Sequence, residues 1–294
     1  MASWTRLDDR GVVSVAGTDA RALLQGLISN DLDGLTPTHP LYAALLTPQG
    51  KYLFDFIVID AGDHLLLDVE KARASDLVRR LTLYRLRADV QFAILDEVCV
   101  HAVFGELAEL PPLPETATLA DPRHPDLGWR ALGAPDHVAA ALGDVASPTD
   151  MAAYDRHRLE LGVPDGSRDL EIDRALLLES GFVELNGVAF DKGCFIGQEL
   201  TARMRYRSTV RKRLLPVRIE GHTEPGSLIK DGEVDVGELR SIRDGRGLAL
   251  IRIERWRAAA AAGRRLQAGD ATVEPSVPDW VDLSFASKAA ETSA

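Results

Sequence analysis

The stretch "DKGCFIGQE" at residues 191–199 gathers side chains able to do chemistry into nine positions. Cys194, one of two cysteines in the 294-residue chain, lies between Gly193 and Gly197, two places after Lys192 and shortly before Gln198 and Glu199. A thiol attacks carbon or ligates metal only as thiolate, and a helix N-terminus or a neighbouring cation favours that form. The following run, "GQELTARMRYR" (197–207), is a good helix former after Gly197. Cys194 should therefore sit just ahead of a helix N-terminus, where unpaired N–H groups favour negative charge. Lys192 would add a second positive contribution, and the two glycines permit turns that expose a side chain. The competing role is a small hydrophobe filling a core gap between "VAF" and "FIG". The Lys–Gly–Cys–aromatic context favours the reactive role. Cys99, in the alternating run "EVCVHAVF", reads instead as a buried strand thiol.

Two cysteines cannot build a disulfide scaffold, and neither has the Cys/His spacing of a zinc site, so no resident metal is expected. The chain is 46 % hydrophobic and 27 % charged, ordinary values that predict an independently folding globular protein. A net charge of −11 argues against general nucleic-acid binding, which needs surplus Lys and Arg. One segment departs from that balance: "RMRYRSTVRKR" (203–213) carries six basic residues in eleven. It reads either as a solvated face or as a patch for an anionic ligand. No signal or transit leader and no membrane-length apolar run is visible, which leads to the expectation of a cytoplasmic protein without membrane contact.

The elements that must position Cys194 read as α+β. "GVVSVAG" (11–17) predicts a strand and "TDARALLQGLIS" (18–29) a helix capped by Thr18. Strands follow over 41–47, 51–60 and 64–70, then an amphipathic helix over 70–86 with Leu77, Leu81 and Tyr84 at helical spacing. Hairpins with helices to one side indicate mixed or antiparallel sheets rather than a doubly wound fold. No Gly-rich phosphate loop follows any strand. "SPTD" (147–150) reads as a capping box with Ser147 at N-cap, its helix ending at Gly162. Beyond 213, short runs separated by Gly and Asp predict a small β-barrel. The expected organisation is an N-terminal lobe over 1–108, a second lobe carrying the cysteine motif over 109–212, a C-terminal β-barrel over 213–285 and a frayed tail over 286–294.

"FDKGCFIGQELTARMRYRS" (190–208) resembles the K-G-C-[YF]-x-G-Q-E signature of the YgfZ-type folate-binding family, related to the glycine-cleavage T-protein, an aminomethyltransferase. "LLQGLISNDL" (23–32), "YAALLTPQGKYLFDFIV" (42–58) and "RHRLELGVPDG" (156–166) are similar to further family elements, so the likeness covers most of residues 10–215. The resemblance implies a T-protein-like, multi-lobed fold around a central folate pocket, with tetrahydrofolate or a derivative as cofactor. It also implies a link to iron–sulfur cluster assembly and to iron–sulfur enzymes, some of which modify tRNA.

Glu160 in "RLELG" matches the family's carboxylate position, where one carboxylate can accept a pterin's paired N–H donors. Asp55 matches a position where T-proteins carry an Asp-Asp pair. This chain has Phe54-Asp55, which weakens the case for aminomethyl transfer. Asn30 and Asp31 would line the pocket mouth or serve as an ordinary helix cap. Charge alone suggests Arg203, Arg205 and Arg207 for a folate's glutamate tail. Leu177 stands where members often have Pro ahead of Glu179. The favoured reading is an accessory factor with Cys194 and Lys192 as reactive groups, Asp55, Glu160, Arg203 and Asn30 as folate contacts, and iron–sulfur client or assembly proteins as partners. Cys194 would offer a transient cluster contact or redox chemistry. The alternatives are a folate-dependent one-carbon transferase and an RNA-contacting protein.

Overall fold

The protein's structure, a computed structural model, describes residues 1–207 and 210–283. The expected tail over 286–294 lies outside the described residues. In chain order the first elements are β1 (Ser3–Arg6), β2 (Arg10–Ala16), α1 (Ala20–Gln25), β3 (Leu41–Leu46), β4 (Tyr52–Asp60), β5 (His64–Glu70), α2 (Ala74–Arg85) and β6 (Gln91–Ile94). Next come β7 (Cys99–Phe104), β8 (Ala117–Ala120), β9 (Trp129–Gly133), α3 (Pro135–Gly143), β10 (Ser147–Pro148), α4 (Met151–Leu161), α5 (Gly166–Asp169) and α6 (Gln198–Arg207). The chain continues with β11 (Lys212–Glu220), β12 (Leu228–Asp231), β13 (Val234–Arg243), β14 (Arg246–Arg252), α7 (Ile253–Ala261), β15 (Leu266–Ala268) and β16 (Ala271–Pro275). These elements form two compact units. One comprises Met1–Pro48, Leu53–Tyr154 and Leu185–Ile196; the other comprises Gln49–Tyr52, Asp155–Glu184 and the chain from Gly197.

The first unit contains two five-stranded sheets, ordered β3-β4-β5-β2-β6 and β10-β1-β7-β9-β8. Alternation in the sequence sets the first sheet's faces. Val13, Val15, Phe56, Val58, Leu65 and Leu67 turn to one side and bury against Leu24 of α1 and Leu77 and Leu81 of α2. Each such side chain contributes about 1.5–3 kcal/mol on burial, so this one face supplies much of the unit's stability. The second unit contains a closed barrel, β11-β14-β13-β12-β15-β16, which leaves no open sheet edge. Leu215, Val217, Val236, Leu239 and Ile251 fill its interior. The expected α+β class with a small terminal β-barrel is therefore what the chain forms, and the barrel has six strands.

Two local expectations fail for identifiable reasons. The helix expected over 18–29 spans only Ala20–Gln25, because Ile28 turns away to bridge Leu45. Thr18 is no cap: its hydroxyl donates to Asp89 at 3.1 Å. Ser147 likewise does not start a helix. It pairs with Ser3 as a short parallel strand, consistent with the bias of a residue before proline toward extended backbone. The helix begins at Met151, where the Asp150 carboxylate accepts from the Ala153 N–H at 2.8 Å. It stops at Gly162, whose φ of +79° suits glycine, as expected.

Candidate functional site: the Cys194 loop

Cys194 is exposed, on a loop of the first unit whose neighbours are fixed. On one side, Lys192 extends to the carbonyl oxygens of Gln25, Ile28 and Asn30 and donates to them at 2.7, 2.9 and 2.7 Å. An ammonium has three protons, and all three are used. The chain past the short helix α1 leaves unpaired carbonyls, and a cation is the favoured partner there. Burial lowers the Lys192 pKa to about 8, opposed by the Asp31 and Asp33 carboxylates. On the other side, Phe195 is buried with the Lys192 ammonium 5.3 Å from its ring centre, and Ile196 packs against the sheet core. Nothing lies within 4 Å of where a Gly193 side chain would project. Cys194 thus leaves its thiol to solvent, while Lys192 and Phe195 on either side of it are engaged by the fold.

The segment leading into this loop is anchored in the same place. Ser29 donates from its hydroxyl to the Gly187 carbonyl at 2.6 Å and accepts from the Ala44 N–H at 2.8 Å. The Asn30 amide donates to the carbonyls of Tyr42 and Asn186, both at 2.7 Å, and its oxygen accepts from the Asp31 N–H. Asn30 therefore stitches residue 186 to the N-terminal sheet. Every strong donor and acceptor of its side chain meets backbone.

Asp55 is also internal. It is 4 % exposed on β4, and its carboxylate accepts from the Tyr42 hydroxyl at 2.9 Å. Burial, then the Asp55 charge, raises the Tyr42 pKa well above its ordinary value, so the phenol stays a donor. The Arg123 guanidinium lies 5.8 Å from the Tyr42 ring and donates twice to Asp121. Arg130 bridges Asp121 and Asp68, and Arg10 donates to Asp68 at 2.7 Å. Asp121 is held far below the usual carboxylate range by Arg123 and Arg130, which outweigh its burial. Three arginines and three aspartates thus make a buried chain tying the two sheets together. The sequence reading missed this network, although charges inside apolar runs such as "LLLDVE" were a signal for it.

The other expected folate contacts lie in the second unit. Glu160, on α4, is half-exposed and ion-paired with Arg246 at 2.8 Å. Arg203, on α6, is exposed. The helix after Gly197 forms as expected, from Gln198 to Arg207, but the basic run 203–213 includes residues 208 and 209, which lie outside the described residues. Among the described residues no group of three or more His, Cys, Asp and Glu side chains is placed to hold a metal ion. No helix among them is long and apolar enough to cross a membrane.

A mouse protein (Mus musculus) named iron–sulfur cluster assembly factor IBA57, mitochondrial, is 35 % identical to this chain over 284 residues, covering 86 % of it and 78 % of the relative. The human protein (Homo sapiens) of the same name is 34 % identical over 308 residues, covering 95 % and 86 %. This chain belongs to the IBA57 family. Residues 211–283 match the C-terminal β-barrel domain of CAF17. The fold also matches a crystal structure of the glycine cleavage system aminomethyltransferase T from Bartonella henselae, with a TM-score of 0.73 at 16 % identity over 95 % of this chain and 86 % of that one. That likeness is one of fold, and it bears out the T-protein-like architecture. The cytoplasmic expectation is corrected: the IBA57 relatives are named mitochondrial proteins. An import signal is a removable leader, so the composition of the folded chain carries no address.

Proposed function

We propose that this IBA57-family protein serves iron–sulfur protein maturation by presenting Cys194 as one thiolate ligand to a cluster carried by an assembly partner. The observation that supports this most directly is an exposed thiol on a loop fixed by the three Lys192 hydrogen bonds and by buried Phe195. A cluster takes about four thiolate ligands, so a single cysteine can share a cluster but not store one. As the Sγ–Fe bond forms, the thiol proton leaves to solvent and one partner ligand is displaced and protonated. Fixing the loop lowers the entropy lost when the thiol is captured. Lys192 acts here as a positioning residue, since its protons already face carbonyl oxygens.

Folate fits the residues assigned to it only in part. Asn30 and Asp55 serve internal bonds, leaving Glu160 as the carboxylate able to exchange Arg246 for a pterin's N–H donors, with Arg203 exposed for an anionic tail. We keep tetrahydrofolate in this reading with Glu160 as its carboxylate contact and Arg203 at its anionic tail, and tRNA-modifying iron–sulfur enzymes among the clients through the YgfZ-like motif. The transferase reading is weaker, because Asp55 is buried beneath Tyr42.

The test is rescue of an iron–sulfur client enzyme's activity in cells lacking the endogenous relative. The wild type restores activity, whereas Cys194→Ala at equal abundance does not. Full rescue by Cys194→Ala would remove the thiol from the account. Loss of rescue by Glu160→Ala, with tetrahydrofolate binding lost in calorimetry, would support the folate assignment; unchanged binding would end it.

A further inference from the structure

The second unit holds a cleft of about 250 Å³ that the cysteine chemistry does not use. At about 30 Å³ per water this is room for roughly eight waters, the size of a small metabolite. Leu176, Leu214 and Leu250 give it an apolar surface, and charged side chains line the rest. Most of those charges are already satisfied. Asp169 accepts from Arg158 at 2.7 Å and from the Ser241 N–H at 3.0 Å. Glu171 is held by Arg174 and by Arg240, each at 3.1 Å, and Arg240 also donates to Glu238.

Two charges in the cleft differ. Among the described residues, no hydrogen bond or ion pair engages the Glu179 carboxylate or the Lys212 ammonium. They line one cleft, carry opposite signs and do not touch. Burial raises the Glu179 pKa, opposed by Lys212, Lys51 and Arg252 from a distance. A part-buried charge left without a contact partner is costly, and a ligand of opposite charge relieves that cost.

We propose that this cleft binds a small zwitterion, an aliphatic α-amino acid whose ammonium meets Glu179, whose carboxylate meets Lys212 and whose side chain covers Leu176, Leu214 and Leu250. A lone anion would satisfy Lys212 and leave Glu179 repelled; a lone cation would do the reverse. A ligand carrying both charges satisfies the two together.

The test is titration of the whole protein with L-leucine up to about 10 mM, followed by calorimetry and by amide chemical shifts. Matched controls are 4-methylpentanoate, which lacks the ammonium, and isoamylamine, which lacks the carboxylate. Leucine should bind at least about tenfold more tightly than either control, the value of one charge-assisted hydrogen bond. The wild-type amides of 179 and 212 should shift. Glu179→Gln and Lys212→Met should each weaken leucine by about tenfold or more, with only Lys212→Met weakening 4-methylpentanoate. No binding of leucine, equal binding of the single-charge analogues, or shifts confined to other residues would overturn the proposal. The shift map needs no variant, so misfolding of either substitution leaves the test intact.

Discussion

Lys192 and Lys212 are twenty positions apart in the sequence and have opposite fates. Lys192 directs all three protons at backbone carbonyls and fixes a loop whose thiol remains exposed. Among the described residues, the ammonium of Lys212, at the start of the barrel, makes no hydrogen bond or ion pair, and it lines an open cleft with Glu179. One lysine belongs to the fold and makes its neighbour available. The other is itself available. A lysine beside a reactive group is therefore not automatically part of the reaction; what its ammonium touches decides.

The largest effect should come from a charge more deeply engaged than either lysine. Asp68 lies fully buried between Arg10 and Arg130. Asp68→Ala would remove the carboxylate that two buried guanidinium groups share and should cost about 3–5 kcal/mol in denaturant unfolding. A loss below about 1 kcal/mol would mean that the network is not what ties the sheets. The two lysines give a matched pair below that. Lys192→Met should cost about 2 kcal/mol, because three carbonyls lose a charged donor, and should change the rate at which Cys194 reacts with an alkylating probe. Lys212→Met should cost less than about 0.5 kcal/mol, because no hydrogen bond or ion pair is lost with this part-buried ammonium, and should leave the alkylation rate unchanged. Equal effects from the pair would erase the distinction between them.

A further effect concerns pH. The Lys192 pKa is about 8 in the folded protein against 10.5 for a free lysine. Between those values the unfolded chain holds the proton more tightly, so folding stability from this group rises with pH across that window and is flat below pH 8. The thermal stability gap between wild type and Lys192→Met should widen from pH 8 to pH 10. A gap that narrows would mean that the carbonyl bonds to the ammonium outweigh its desolvation.

Much of the scaffold was legible because its signals are local. Alternation in "YLFDFIVID" and "HLLLDVE" located β4 and β5, and the helical spacing of Leu77 and Leu81 located α2. Local grammar failed where a distant partner competed: Ser147 had a good capping sequence, but Ser3 supplied a strand to pair with. The exposure of Cys194 was readable from its flanking glycines. The destination of Lys192 was not, because its acceptors lie 162 to 167 positions earlier and only the folded chain brings them near. The same holds for Asn30, whose partner at 186 is 156 positions away, and for Glu179 and Lys212, whose shared cleft exists only after the barrel closes.

The measurement closest to the central claim is visible circular dichroism of a cluster-loaded assembly protein mixed with wild type, Cys194→Ala and Lys192→Met. A thiolate that joins the cluster alters its charge-transfer bands. Wild type should change the spectrum, Lys192→Met should do so only at higher protein concentration, and Cys194→Ala should leave it unchanged. The same spectral change with Cys194→Ala as with wild type would contradict the account.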